Sequence, residues 1–201
     1  MKKHHSIVRH LVSSLKTLAL AGAILLILYS TGLLGSISYY SQSAVMATGL
    51  FDAKGKPESK SRSFDYGFQV KDLNGARRSF DQYKGKVVFL NLWATWCGPC
   101  RAEMPTIQKL YQSVDTTKVA FVILSIDRDR DKPKILSYVQ DKQFTFPVFQ
   151  PSGNLPELLQ VPSIPTTFII SKDGRVASQE VGTTNFNTPR FKKFLQKLAE
   201  E

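Results

Sequence analysis

The sequence predicts an α/β domain built on a mixed β-sheet flanked by helices on both faces and preceded by one transmembrane helix. Three observations support this fold class. Apolar runs alternate with amphipathic runs through the middle of the chain, as is typical of parallel strands joined by helices. Two pairs of short strand-like segments, each separated by turn residues, predict antiparallel hairpins. A long stretch without charge lies near the N-terminus.

The N-terminal segment has the charge pattern of a signal anchor. Residues 1–16 contain four basic and no acidic side chains, and residues 17–51 carry no charge. We expect residues 17–36 to form a transmembrane helix, because their core (LALAGAILLIL) has no polar stripe. The positive-inside rule then places residues 1–16 in the cytoplasm and the rest of the chain outside it. A cleaved signal peptide is the alternative, with Val45-Met46-Ala47 as a passable cleavage site far beyond the apolar run.

Residues 37–63 are predicted to be a flexible linker, and residues 64–201 a single domain. The end of the linker (AKGKPESKSRS) is rich in Lys and Ser and has no large apolar side chain. At the start of the domain, residues 67–71 and 77–80 form an expected N-terminal hairpin with its turn at Asn74-Gly75.

The remaining elements follow from hydrophobic periodicity. The expected strands are residues 87–93, 119–126, 148–149, 166–170 and 176–181, the last two joined by a turn at 172–175. The expected helices are one beginning at the cysteine pair, residues 133–142, a short turn at 155–159 and a C-terminal helix with the apolar stripe Phe191, Phe194, Leu195 and Leu198. Pro105 lies inside the first of these helices and is expected to kink it.

Composition excludes several classes of protein. Two cysteines can form only one disulfide, too few to stabilise a small disulfide-rich scaffold. The three histidines all lie within the first ten residues, so the domain can assemble neither a four-ligand Cys/His zinc site nor a histidine base. The net charge of +11 suggests nucleic acid or an anionic membrane surface. We expect no nucleic-acid site, since the basic side chains at 128–132 alternate with acidic ones.

The strongest motif is Cys97-Gly98-Pro99-Cys100, at the junction of a predicted strand and helix. The helix N-terminus stabilises a thiolate at Cys97, so we expect the pKa of this thiol to be lowered. Cys100 lies one turn further along, where it can attack a mixed disulfide formed on Cys97. One alternative is that the pair is half of a zinc site, but the other ligands are missing. A second is a purely structural disulfide, but closing so short a loop removes little conformational entropy from the unfolded chain. A redox-active pair is therefore the favoured interpretation.

From residue 64 onward the chain resembles the membrane-anchored, extracytoplasmic thioredoxin-like proteins of the TlpA/ResA type. The stretches that carry the resemblance are KGKVV at 84–88, NLWATWCGPCRAEMP at 91–105 and IPTTFII at 164–170. It implies a thioredoxin fold and dithiol–disulfide exchange without a bound cofactor. It also implies reduction of client-protein disulfides outside the bacterial cytoplasmic membrane, with apocytochrome c as the best-known substrate class. The electron donor it implies is an integral-membrane carrier of the CcdA or DsbD kind.

The resemblance also implies roles for residues near the cysteines. Pro165 matches the family's cis-proline, and Ile164 would offer backbone groups to an extended substrate strand. Glu103 matches a partly buried glutamate whose pKa is raised by burial and which takes a proton from Cys100. A trans proline and a solvent-facing glutamate are the alternatives at these two positions.

Three further features concern proton handling, the rim of the site and the direction of exchange. Asn91 stands where cytoplasmic thioredoxins have a buried aspartate, which shifts the proton-handling role toward Glu103. Trp96 is expected to cover the rim of the site. By analogy with reducing thioredoxins, Gly98-Pro99 favours a reductase.

The predicted function is a membrane-anchored thiol–disulfide oxidoreductase, most simply a protein-disulfide reductase. Two rival enzymes on the same fold are a thiol peroxidase and a disulfide isomerase. A rival of another class is a redox-sensing or client-binding module without turnover.

Overall fold

The computed structural model of the protein describes residues 2–30, 45, 48–49, 51–53, 55 and 62–201. The chain divides into two units, Met1–Ser38 and Tyr39–Glu201. In the first unit, helix α1 spans Lys2–Ser30. Among the described residues, no helix has both the length and the apolar character needed to cross a membrane. Residues 31–36 of the expected span lie outside the described residues, and the transmembrane helix at 17–36 stays a prediction.

The folded domain begins earlier than residue 64. Asp52 forms an isolated bridge with Asn185, and Ser63 forms one with Arg175. Ala53 is buried. Composition could not reveal these contacts, because backbone pairing does not require apolar side chains. The other residues of the expected linker lie outside the described part of the chain, except residues 45, 48–49, 51, 55 and 62.

The second unit contains a mixed seven-stranded sheet within its described residues, with the order β2-β1-β5-β4-β3-β6-β7. The strands are β1 (Gln69–Asp72), β2 (Arg77–Ser79), β3 (Val87–Trp93), β4 (Val119–Ser125), β5 (Val148–Pro151), β6 (Thr166–Ile170) and β7 (Val176–Val181). Strands β3, β4 and β5 are parallel neighbours, and every other pairing is antiparallel. The predicted mixed α/β sheet is confirmed, with hairpins at both edges.

Within the described residues of the second unit, three α-helices accompany this sheet: α2 (Gly98–Ser113), α3 (Lys132–Asp141) and α4 (Pro189–Glu200). Each corresponds to a predicted helix. The expected turn at 155–159 is a 3-10 helix over Glu157–Leu159. Two further 3-10 helices, Phe80–Tyr83 and Asp129–Asp131, were not predicted.

The expected helices on both faces of the sheet are found as α-helices on one face and, among the described residues, as the short 3-10 helices Phe80–Tyr83 and Glu157–Leu159 on the other. Helices α2, α3 and α4 bury Ile107, Ile135 and Leu195 in one core cluster, which also contains Phe89 of β3. The connections β3–α2–β4 and β4–α3–β5 step in the same direction across neighbouring strands. Because such crossovers are right-handed, α2 and α3 must lie on the same face.

An aromatic cluster covers the opposite face. Phe64, Tyr66 and Phe68 precede β1, and their rings surround Phe80. Phe80 has no exposed surface, and its ring stacks on Phe68 at 4.4 Å between centroids. This cluster packs with residues such as Leu90 of β3. The N-terminal extension of the domain therefore takes the place of a helix layer and keeps β3 buried on both faces.

Candidate active site

Cys97 and Cys100 form a disulfide at the point where β3 leads into α2, with their Cα atoms 5.3 Å apart. Cys97 is the N-cap residue of α2, and its Sγ accepts a hydrogen bond of 3.1 Å from the backbone N–H of Cys100. Cys97 retains 6% exposure, whereas Cys100 has none. Of the two residues, only Cys97 therefore has any surface that a reacting molecule could approach.

Ile164 and Pro165 lie beside Cys97, although they are far from it in sequence. The peptide bond between them is cis. The carbonyl oxygen of Ile164 lies 3.8 Å from Cys97 Sγ. Strand β6 begins at the next residue and pairs with β3, so the sheet itself brings this segment to the cysteines.

Trp96, which is expected at the rim, and the motif residues Gly98 and Pro99 are close to Cys97 in sequence. Gly98 and Pro99 form the first turn of α2. Trp96 is 70% exposed, so its ring is available to a partner. It borders an open groove of about 610 Å³ whose lining includes Arg101 and Tyr138.

Glu103 lies one turn along α2 from Cys100 and is completely buried. Burial raises its pKa to about 8 from the ordinary 4.5, while hydrogen bonds from Asn91 and Thr184 oppose the rise. Asn91 Nδ2 donates to Glu103 Oε1 at 2.7 Å, and the backbone N–H of Thr184 donates to Oε2 at 3.2 Å. Both partners are neutral, so the carboxyl group lies in an uncharged, water-excluded environment.

Asn91 on β3 links this carboxyl group to β6. Its Nδ2 also donates to Thr167 Oγ1 at 2.9 Å. Its Oδ1 is buried and has no hydrogen-bond partner among the described residues. The amide therefore acts at this site through its donor group alone.

Sequence reasoning missed Thr184, which follows β7 and reaches Glu103 from 81 positions away. It also missed Asp127, just after β4. Asp127 is 5% exposed and accepts hydrogen bonds from Thr95 N, Thr95 Oγ1 and Ser125 Oγ at 2.6–2.8 Å. These bonds fix the loop that carries Trp96 and Cys97. A signal did exist, because parallel strands β3 and β4 end at the same sheet edge, where polar side chains meet.

A tyrosine compensates for the proline inside α2. Pro105 has no N–H, which leaves the carbonyl of Arg101 without its helical donor. The hydroxyl of Tyr138 on α3 donates to that carbonyl at 3.4 Å, and its ring lies 5.4 Å from the Arg101 guanidinium. The helix that carries Cys100 and Glu103 is thereby tied to its neighbour.

Comparison with known proteins gives a consistent family. The sequence profile of the AhpC/TSA family matches residues 66–179. Thiol-disulfide oxidoreductase ResA of Bacillus thuringiensis subsp. konkukian is 36% identical over 57% of this chain. That match spans 66% of the relative's length, just short of two thirds. Thioredoxin-like protein YneN of Bacillus subtilis is 35% identical over 58% of this chain and 68% of its own length.

The fold comparison agrees with the sequence comparison. A solved structure described as a putative thiol:disulfide interchange protein DsbE from Chlorobium tepidum superposes with a TM-score of 0.58 at 24% identity. The superposition covers 70% of this chain and 99% of that one. At this level of identity the likeness establishes the thioredoxin fold.

Proposed function

The chain belongs to the AhpC/TSA family, within its ResA/TlpA-like thioredoxin-fold proteins, and on that premise we propose that it is a thiol–disulfide oxidoreductase that reduces the disulfides of client proteins. One observation carries the proposal. Cys97, the less buried of the two cysteines, caps a helix N-terminus, and its sulfur lies beside the fully buried Cys100 and the Ile164 carbonyl. A nucleophilic thiol with a resolving thiol behind it has this arrangement.

The reaction is a two-electron exchange. In the reduced enzyme, the Cys97 thiolate attacks one sulfur of a client disulfide and releases the other as a thiolate. Cys100 then loses its proton and attacks Cys97 Sγ, which breaks the mixed disulfide and releases the second client thiolate. The client gains two electrons, and the enzyme is left with the Cys97–Cys100 disulfide. The cysteine pair performs this exchange without an external cofactor.

The Cys100 step needs a proton acceptor, and Glu103 is the proposed one. Its pKa of about 8 lies close to the ordinary thiol pKa of about 8.5. A proton therefore moves between the two groups with little free-energy change, the condition under which general acid–base catalysis is most effective.

Client recognition is proposed at the surface around Cys97. An extended client segment would pair with the backbone of Ile164 beside Pro165. Trp96, which is 70% exposed, would contribute apolar contact area next to Gly98 and Pro99.

A Cys100→Ser chain tests this function. It can form the mixed disulfide and cannot resolve it, so clients should accumulate as covalent complexes that dithiothreitol releases. The matched Cys97→Ser chain should trap none. If Cys100→Ser traps nothing, while the unaltered chain binds partners equally well oxidised and reduced, the chain is a binding module and the proposal fails.

The direction of exchange is tested by the redox state of the pair in growing cells. A reductase should be found mostly with reduced cysteines, and a mostly oxidised pair would indicate an oxidase. Peroxide consumption that depends on Cys97, or rescue of scrambled disulfides without net reduction, would indicate the peroxidase or isomerase activities instead.

The location and electron supply are also proposals. We propose a single-pass anchor at residues 17–36 in the bacterial cytoplasmic membrane, with the domain on the periplasmic or equivalent side. The support is the four basic and no acidic residues at 1–16 and the uncharged stretch after them. Re-reduction by a CcdA- or DsbD-type carrier and an apocytochrome c client follow from family resemblance. Release of the chain by a carbonate wash of membranes would refute the anchor.

A further inference from the structure

A short segment at the start of the folded domain, which we term the strap (residues 51–53 and Gly55), is bound to the loop between β7 and α4 (residues 182–188). The carbonyl of Phe51 accepts from Asn185 N at 2.7 Å, and Ala53 N donates to the Asn185 carbonyl at 3.0 Å. Asn185 Nδ2 donates to Asp52 Oδ1 at 2.8 Å. Ala53 is 1% exposed. Backbone, side-chain and apolar contacts therefore all hold the strap at one place on the loop.

Gly55 fixes the far end of the strap against α4. Its φ is +51°, and a Cβ atom added there would lie 2.9 Å from Cγ and 3.1 Å from Cβ of Phe194. These atoms are at the base of the Phe194 side chain, which packs against the buried core and cannot swing away freely. Only glycine fits both the backbone conformation and the approach.

The loop under the strap is the one that closes over Glu103. Thr184 N donates to Glu103 Oε2 at 3.2 Å, and Thr184 is 6% exposed. On the inner side, Phe186 N donates to Thr106 Oγ1 at 3.2 Å. Asn185, which the strap binds, lies between these two residues in sequence. The strap therefore holds the outer side of a loop whose inner side touches the carboxyl group.

We propose that the strap is a positioning element of the active site, which keeps the β7–α4 loop closed over the Glu103 carboxyl group and excludes water from it. The inference rests on the proposed function only in assigning proton transfer to Glu103. The hydrogen-bond partners of that group, Asn91 Nδ2 and Thr184 N, are both neutral. The pKa of Glu103 therefore depends mainly on how completely the loop keeps water from its carboxyl group.

The experiment compares Gly55→Ala with Gly75→Ala in the full chain. Gly75 has a φ of +90° and nothing within 4 Å of an added Cβ. An alanine there therefore meets a similarly unfavourable backbone conformation but no steric clash. Gly75 lies in the β1–β2 hairpin, at the opposite edge of the sheet from β7. The titration of Glu103 is followed by 13C NMR of carboxyl-labelled glutamate in the oxidised protein. Its signal is identified by its loss in Glu103→Gln.

In Gly55→Ala we expect the pKa of Glu103 to fall by at least about one unit, because burial is the main cause of its elevation and water gains access. Gly75→Ala should leave it unchanged. Asp52→Ala, which removes the bond to Asn185 Nδ2, should shift it in the same direction by less. An unchanged or raised pKa in Gly55→Ala would overturn the proposal. Because the readout needs no client, failure of the strap is distinguishable from failure of the oxidoreductase assignment.

Discussion

Replacing Glu103 by glutamine should change how the stability of the domain depends on pH. The folded-state pKa of Glu103 is about 8, against 4.5 as its ordinary value. Between these pH values the unfolded chain releases a proton that the folded domain retains. The group's contribution is therefore fully present below pH 4.5 and lost as pH rises through 8. At about 1.4 kcal/mol per pH unit, the free energy of unfolding should fall by about 5 kcal/mol across this window.

Glutamine cannot ionise, so this loss should disappear in Glu103→Gln. Any constant effect of the substitution, such as an imperfect fit to the Thr184 N–H, cancels when the two pH profiles are compared. The assay is urea unfolding of the oxidised protein from pH 4.5 to 9. It is followed by tryptophan fluorescence, to which the fully buried Trp93 contributes. Keeping the disulfide intact prevents the thiols from contributing to the profile.

Glu157→Gln is the matched control, because Glu157 is an exposed glutamate of a 3-10 helix. Its profile should run parallel to that of the unaltered chain. Parallel profiles for Glu103→Gln as well would show that Glu103 is already ionised in the folded protein at neutral pH. The proposed match between its pKa and that of an ordinary thiol would then be refuted.

Two further substitutions test how the site and the opposite face are held together. Asp127→Ala should destabilise the domain by about 2–4 kcal/mol in urea unfolding, because it removes three buried or part-buried hydrogen bonds to one carboxyl group. Asp129→Ala, which loses only an exposed ion pair with Lys71, should cost less than about 1 kcal/mol, and equal losses would contradict the anchoring role. Phe80→Ala should cost about 3–5 kcal/mol, since the ring is fully buried. A loss no larger than that of Leu136→Ala, at a 40% exposed residue, would show that the aromatic cluster is not a core.

The sequence predicted best those elements that local chemistry defines. Strands β6 and β7 were predicted to the residue, because β-branched and aromatic runs are bounded there by proline and by a Lys-Asp-Gly-Arg turn. The placement of helices could not be predicted in the same way. It depends on strand order, and β5 is inserted between β1 and β4 only in the folded sheet. The crossover rule becomes informative once that order is known.

The candidate site likewise combines residues that the local sequence identifies with residues that only long-range contacts bring in. Cys97, Cys100 and Glu103 lie within seven consecutive residues, so helical spacing alone relates them. Thr184 reaches the site because β7 ends beside it. Neither its residue type nor the residues next to it in the sequence distinguish it from other loop threonines. The burial that raises the pKa of Glu103 is thus a property of long-range contacts, although the residue itself is found by a local motif.

The amide at position 91 suits a site with one buried carboxyl group. Asn91 Nδ2 lies 2.7 Å from Glu103 Oε1. An aspartate at position 91 would place two carboxyl groups within hydrogen-bond distance, and they would titrate as a coupled pair with one pKa strongly raised. An amide remains a neutral donor at every relevant pH and opposes the effect of burial on the pKa of Glu103. It therefore leaves a single proton carrier whose pKa lies near that of a thiol, as the proposed transfer from Cys100 requires.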